Sequence, residues 1–459
     1  MGNTSCIDLV NAFFLNIQEK NDLNAFIEVF EESAVKQAIE VDKKIAAGSA
    51  GKLAGMVISL KDLLCFKDHK VTGGSHILND FTSLYSATVV EKLLKEDAII
   101  IGRTNCDEFG MGSSNENSFY GPVKNAANVA MVPGGSSGGA AVSVQAEGCH
   151  VAIGTDTGGS VRQPAAFCGL YGLKPTYSRI SRFGLLSYAS SFDTIGVLSK
   201  TLEDNALVFQ ILAGHDEKDS TSSSLPVNEV DFKPTKNKYK IAYFDSALNE
   251  GVDKSIRDTL QKNIDNLRAE GNTVEEIRFP LAEYILPVYY ILTTAEASSN
   301  LERYDGVRYG YRDKNVTDLE NLYKLSRSHG FGDEVKRRIF LGTFVLSANY
   351  YDAYYIKAQK ARRLIRDTTR SIFKEYDFIL GPVSSTNAFP LESKSEDPLA
   401  MYLSDLYTVQ ASVAGIPAIS LPQGNDKNGL PIGIQVMADD FKEAELYAFS
   451  NYLQKLGCI

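Results

Sequence analysis

Two rhythms of apolar residues run along this chain. Short apolar runs at Met56–Leu60, Ala98–Gly102 and Val151–Gly154 predict strands buried on both faces. Helical spacing fills the intervals. Ser86 is placed to cap a helix carrying Val89, Val90, Leu93 and Leu94, and Ala140–Glu147 is small and apolar enough for a helix packed inside the core. The opening stretch Ile7–Glu31 predicts a helix, broken near Asn21–Asn24, with Leu9, Phe13, Phe14 and Ile17 on one stripe. Further on, the pattern gives strand Lys240–Phe244, helix Ser255–Glu270 and strand Thr273–Ile277. A long helix from Ser347 to Tyr376 then leads into strand Asp377–Leu380. Paired strands at Ala418–Leu421 and Ile432–Val436 precede a closing helix, Lys442–Leu456. This is α/β grammar. It predicts a single large α/β/α domain over residues 1–459, with a mixed central sheet covered by helices. The polar segment 215–238 reads as a surface excursion, because strand and helix alternation resumes after it.

Composition narrows the classes. The 459 residues are 44% hydrophobic and 23% charged, as in a globular protein with a large core. The net charge is −10, and no Lys/Arg-rich block stands out, so direct grip on a nucleic-acid backbone is not expected of this chain. Six cysteines, at 6, 65, 106, 149, 168 and 458, lack C-x-x-C or zinc-ligand spacing, which predicts reduced thiols and no metal. Cys149 and Cys168 lie among small apolar residues and read as core. No leader-like segment or long uncharged apolar run is present, so neither secretion nor a membrane span is expected, and a cytoplasmic location is.

The chemistry concentrates in two glycine loops, Gly134-Gly-Ser136-Ser137-Gly-Gly139 and Gly154-Thr-Asp-Thr157-Gly158-Gly159-Ser160. Five histidines occur in the chain and none lies in either loop. A serine nucleophile here needs another base, and Lys61, at the end of the predicted strand Met56–Leu60, is the candidate. The first loop also satisfies the G-x-S-x-G elbow, which would need an acid and a later histidine such as His215 or His329. Nothing else in the chain supports that arrangement.

The segment from Pro133 to Thr176, with GGSSGG followed by GTDTGGSVRQPAAFCGLYGLKPT, resembles the amidase signature family. That resemblance implies a Ser–cis-Ser–Lys triad: Lys61 as general base, Ser136 as the relay joined to Gly135 by a cis bond, and Ser160 as nucleophile. Backbone N–H groups of Thr157, Gly158, Gly159 and Ser160 can converge on an oxyanion, since the two glycines permit a tight nest. Lys61 must be neutral to take a proton. Holding it so at pH 7 needs a depression of roughly three pKa units, about 4 kcal/mol, and burial beside Leu60, Leu63 and Leu64 is the expected cause. Asp62 should then point elsewhere. Arg162, Asp156 and Gln163 read as scaffold for the loop.

Two further blocks, Glu296–Gly310 and Lys336–Thr343, resemble the glutamine-hydrolysing branch of the family that serves tRNA-dependent amidotransferases. The resemblance implies glutamine as substrate, with Arg338 and Asp405 taking its α-carboxylate and α-ammonium; Arg337 is the other candidate cation. A tyrosine, Tyr289 or Tyr290, is expected to line the same pocket. The resemblance also implies a heterotrimer completed by the B and C subunits of the amidotransferase, with Glu-tRNA(Gln) bound through the B subunit. ATP and Mg2+ are then used in the whole complex, with no cofactor in this chain. A free-standing amidase acting on a small or fatty amide, and an inactive scaffold, are the competing readings.

Overall fold

The computed structural model describes residues 4–393 and 398–457. Eleven strands form one continuous sheet: β1 (Phe26–Val29), β2 (Val57–Lys61), β3 (Ile99–Thr104), β4 (Val151–Asp156), β5 (Tyr171–Lys174), β6 (Thr194–Ser199), β7 (Lys240–Phe244), β8 (Thr273–Ile277), β9 (Phe378–Pro382), β10 (Ala418–Asn425) and β11 (Pro431–Met437). Their order is β1-β3-β2-β4-β6-β5-β10-β11-β9-β7-β8. β2 runs parallel to β3 and β4, and β7 parallel to β8 and β9. The remaining pairs are antiparallel, so the sheet is mixed. β2, β3 and β4 are buried along their whole length, as apolar runs require.

Helices cover the sheet. Gly138–Gln145 is buried at nearly every position; Gly139 lies against the backbone of Asn105 and Ala25, where a Cβ would collide. Residues 215–238 carry neither helix nor strand, and β7 and β8 beyond them rejoin the same sheet. Among the described residues, no helix is long and apolar enough to cross a membrane. Cys6, Cys65, Cys106, Cys149 and Cys168 are buried and free; Cys458 lies outside the described residues.

The structure corrects several expectations. The first helix ends at Glu19, and Phe26–Val29 is an edge strand paired to β3 where the apolar pattern predicts helix. A second helix, Glu31–Ala46, follows it. Ser86 does not cap the helix Thr88–Lys95; its hydroxyl accepts from Lys67 N, and Ala87 occupies the cap. The long helix predicted from Ser347 is a π-helical turn, Tyr351–Ile356, followed by the helix Lys357–Ile372. That helix also corrects the reading of charge. It gathers Lys357, Lys360, Arg362, Arg363, Arg366 and Arg370 against Asp367 alone, a basic tract interleaved with apolar and neutral polar positions.

Candidate active site

β2 delivers Lys61 into the core at its C-terminal end, where its side chain is 0% exposed. Its ammonium donates to Ser136 Oγ at 2.7 Å, Ser137 Oγ at 2.9 Å and Thr155 Oγ1 at 2.9 Å. The Gly135–Ser136 peptide bond is cis. Burial lowers the Lys61 pKa to about 8, against the pull of the nearby Asp107, Asp156 and Asp193 carboxylates, which favour the charged form. Asp62 turns away. Its carboxylate accepts from Thr72 N, Gly74 N and the Arg103 guanidinium. Arg103 Nη1 lies 2.8 Å from it.

The second loop follows β4 directly. Asp156, its last strand residue, forms a fully buried ion pair with Arg162 at 2.9 Å and accepts from Val161 N at 3.2 Å, closing the chain around Ser160. Arg162 also donates to Thr408 O and to Ser412 Oγ. Thr157 is anchored on the other side, its hydroxyl donating to Asp193 at 2.7 Å. Gly158 and Gly159 are required by space: a Cβ on the first would collide with the Tyr289 hydroxyl, and on the second with Thr408. Gln163 accepts from Gly135 N at 3.0 Å and so ties the two loops together. A helix begins at Arg162. Among the described residues, the backbone N–H groups of Thr157, Gly158, Gly159 and Ser160 donate to no protein acceptor, while Gln163 N is taken by Gly159 O. Four uncommitted donors in a buried turn are available to an incoming negative charge.

Exposure separates the two serines. Ser136 is 1% exposed and Ser160 8%, so the solvent window opens on Ser160.

Arg338 and Asp405 come together around tyrosines. Arg338 lies on the helix Asp333–Leu346, is 3% exposed, and donates to Glu334 at 2.7 Å and to the Tyr188 hydroxyl at 2.8 Å. Its guanidinium carbon sits 5.5 Å from the ring centres of Tyr188, Tyr290 and Tyr402. Asp405 accepts from Tyr290 at 2.8 Å and from Ser113 at 2.8 Å. Burial raises its pKa to about 6. Tyr290 therefore joins the cation to the anion, and Tyr289 backs Gly158. Arg337 points outward to Glu334. A solvated helix face describes Arg337 and fails for Arg338. Sequence reasoning misses Glu334, Tyr188, Ser113, Thr155, Asp193 and Thr408; only Glu334, four positions before Arg338 on one helix, carries a local signal.

No histidine supports the elbow alternative. His215 Nδ1 meets Ser222 Oγ, and His329 Nδ1 meets Asp313 at 2.6 Å.

A buried lysine, two serines on adjoining glycine loops and an array of uncommitted N–H groups are an arrangement suited to amide cleavage. Residues 8–447 match the Amidase family, and the chain belongs to it. It is 47% identical over 459 residues to the A subunit of glutamyl-tRNA(Gln) amidotransferase from Chlorobium phaeobacteroides (strain BS1), covering 98% of this chain and 95% of that one. It is 49% identical over 454 residues to the corresponding A subunit from Coxiella burnetii (strain Dugway 5J108-111), covering 98% and 94%. The crystal structure of the A subunit from Thermotoga maritima superposes with a TM-score of 0.81 at 34% identity, over 98% of this chain and 93% of that one. A peptide amidase in complex with the inhibitor chymostatin gives 0.83 at 26% identity, over 99% and 95%.

Proposed function

We propose that this chain is the glutaminase subunit of a glutamyl-tRNA(Gln) amidotransferase. The observation that carries the chemistry is the 2.7 Å contact from buried Lys61 to Ser136 beneath the loop bearing Ser160. Neutral Lys61 takes a proton from Ser136 as Ser136 takes one from Ser160. The Ser160 oxygen attacks the amide carbon of glutamine, and the oxyanion rests against the N–H groups of Thr157, Gly158 and Gly159. Collapse of that intermediate breaks the C–N bond, and the proton returns through Ser136 to the departing ammonia. Water then hydrolyses the acyl-serine by the same relay, giving glutamate.

Arg338 and Asp405 bind the α-carboxylate and α-ammonium of glutamine. An apolar amide would offer this cation and anion nothing to bind beyond the protein groups that already hold them, which weighs against a free-standing amidase. The amidotransferase relatives support ammonia delivery to Glu-tRNA(Gln) held by a partner. We assign RNA binding to the B subunit of a cytoplasmic heterotrimer that the C subunit completes. ATP and Mg2+ act elsewhere in that assembly.

The test is a quench of the chain with glutamine followed by mass spectrometry. A γ-glutamyl adduct on Ser160, absent in Ser160→Ala, is expected. Absence of both adduct and ammonia release, with candidate partners present, would overturn the assignment.

A further inference from the structure

Away from the active-site loops, a cavity of about 560 Å³ opens between the helix Lys357–Ile372 and the segments around Tyr177, Gly415 and Phe441. That volume falls among small-molecule sites, roughly 300–1,000 Å³. Its lining includes Arg362, Arg363, Arg366 and Arg370 and one carboxylate, Asp440.

Three of these arginines, 362, 366 and 370, repeat at helical spacing and so share one face, where like charges four residues apart repel by about 0.2–0.5 kcal/mol per pair. Two are tied down by the protein. Arg362 donates to Ser191 Oγ and to Ser191 O at 2.7 Å each, beneath the cavity, and Arg370 is paired to Asp440. Arg363 and Arg366 are not. Each Nε lies 3.6 Å from an Asp367 carboxylate oxygen, beyond hydrogen-bond range, and the two side chains are 79% and 43% exposed. An anion in the cavity would give these two guanidiniums the close charge-assisted contacts they lack. In a chain of net charge −10, this concentration of positive charge is local and concave. A concave pocket suits a compact multivalent anion better than the extended backbone of an RNA.

We propose that this cavity binds a small polyanion, an oligophosphate or a polycarboxylate, gripped by Arg366 and Arg363 between the fixed charges of Arg362 and Arg370. The site is separate from the glutamine chemistry and stands or falls without it.

Calorimetric titration of the full chain at physiological salt with inorganic tripolyphosphate, and separately with citrate, tests the proposal and separates the two sources. Saturable binding of either anion is expected, weakened tenfold or more by Arg366→Ala and less by Arg366→Lys, which keeps charge but loses the planar fork. Arg363→Ala, at a residue whose side chain is 79% exposed, serves as a second variant that leaves packing untouched and should also weaken binding. No binding of either anion, or binding indifferent to both alanine variants, would overturn the site. So would tRNA binding by the wild-type chain that Arg366→Ala removes, since the patch would then be an RNA surface.

Discussion

Lys61 is the residue on which the proposed chemistry turns, and its environment sets a pH signature. Its reactive form is neutral, and burial brings the pKa to about 8, so activity should climb as pH rises through that region. At neutral pH about one molecule in ten holds the free base. A flat profile of kcat between about pH 6.5 and 9 would count against a lysine base. Lys61→Ala should lower kcat by about 10²–10⁴-fold, and Lys61→Arg should not restore it, because guanidinium keeps its proton. Asp405 gives the opposite limb. It must be ionised to hold an α-ammonium, and its pKa is about 6, so KM for glutamine should rise as pH falls below that value. Arg338→Ala and Asp405→Ala should each raise KM about tenfold or more, the loss of one charge-assisted contact of ~1.5–3 kcal/mol. Labelling of Ser160 by a reactive acyl probe should be largely kept in both; equal loss of labelling would assign them to the fold. These positions are readable from the sequence because each sits in a dense local motif or a recognisable family block. Thr155, Asp193 and Thr408 are not, since their roles arise only when β4, β6 and the turn before Val409–Ala414 converge.

At the scale of elements, the nucleophile loop is shaped by one buried pair. Asp156 and Arg162 are both 0% exposed and hold the chain on either side of Ser160. Asp156→Asn would leave Arg162 charged and without its counter-ion, a loss of about 3–5 kcal/mol for a buried pair broken on one side. The variant should unfold at a markedly lower temperature in calorimetry, and its surviving folded fraction should acylate slowly; wild-type stability would show that the pair is dispensable. The strands β2, β3, β4, β7 and β8 are legible because apolar runs or strand–helix–strand alternation leave few other solutions. β1 is not. Phe26–Val29 has too few residues to show a period, and only its pairing with β3 makes it a strand. Helix Ala282–Asn300, which supplies Tyr289 and Tyr290, also escapes, since it is apolar on most faces and contains Pro287. The basic helix Lys357–Ile372 is written in the sequence as KAQKARRLIR but interleaved with apolar residues, so it reads as an amphipathic stretch before it reads as a basic one.

For the molecule as a whole, the decisive property is what it lacks the surface to do alone. With a net charge of −10, and with its basic tract confined to the one helix Lys357–Ile372 beside a concave cavity, the chain has little positive charge to spread along a string of phosphates. The isolated chain should therefore show no measurable tRNA affinity at physiological salt. On the proposed function, ammonia made at Ser160 would have to reach an activated glutamyl ester on RNA before water dilutes or protonates it, which would demand a stable complex with an RNA-binding partner. Glutamine hydrolysis should be slow in the isolated chain and faster once the B and C subunits are added, with all three co-purifying as one assembly. Size-exclusion chromatography and a coupled ammonia assay check both points. Full glutaminase activity in a chain that recruits no partner would sink the amidotransferase reading and restore a free-standing amidase, while leaving Ser160, Ser136 and Lys61 in their roles.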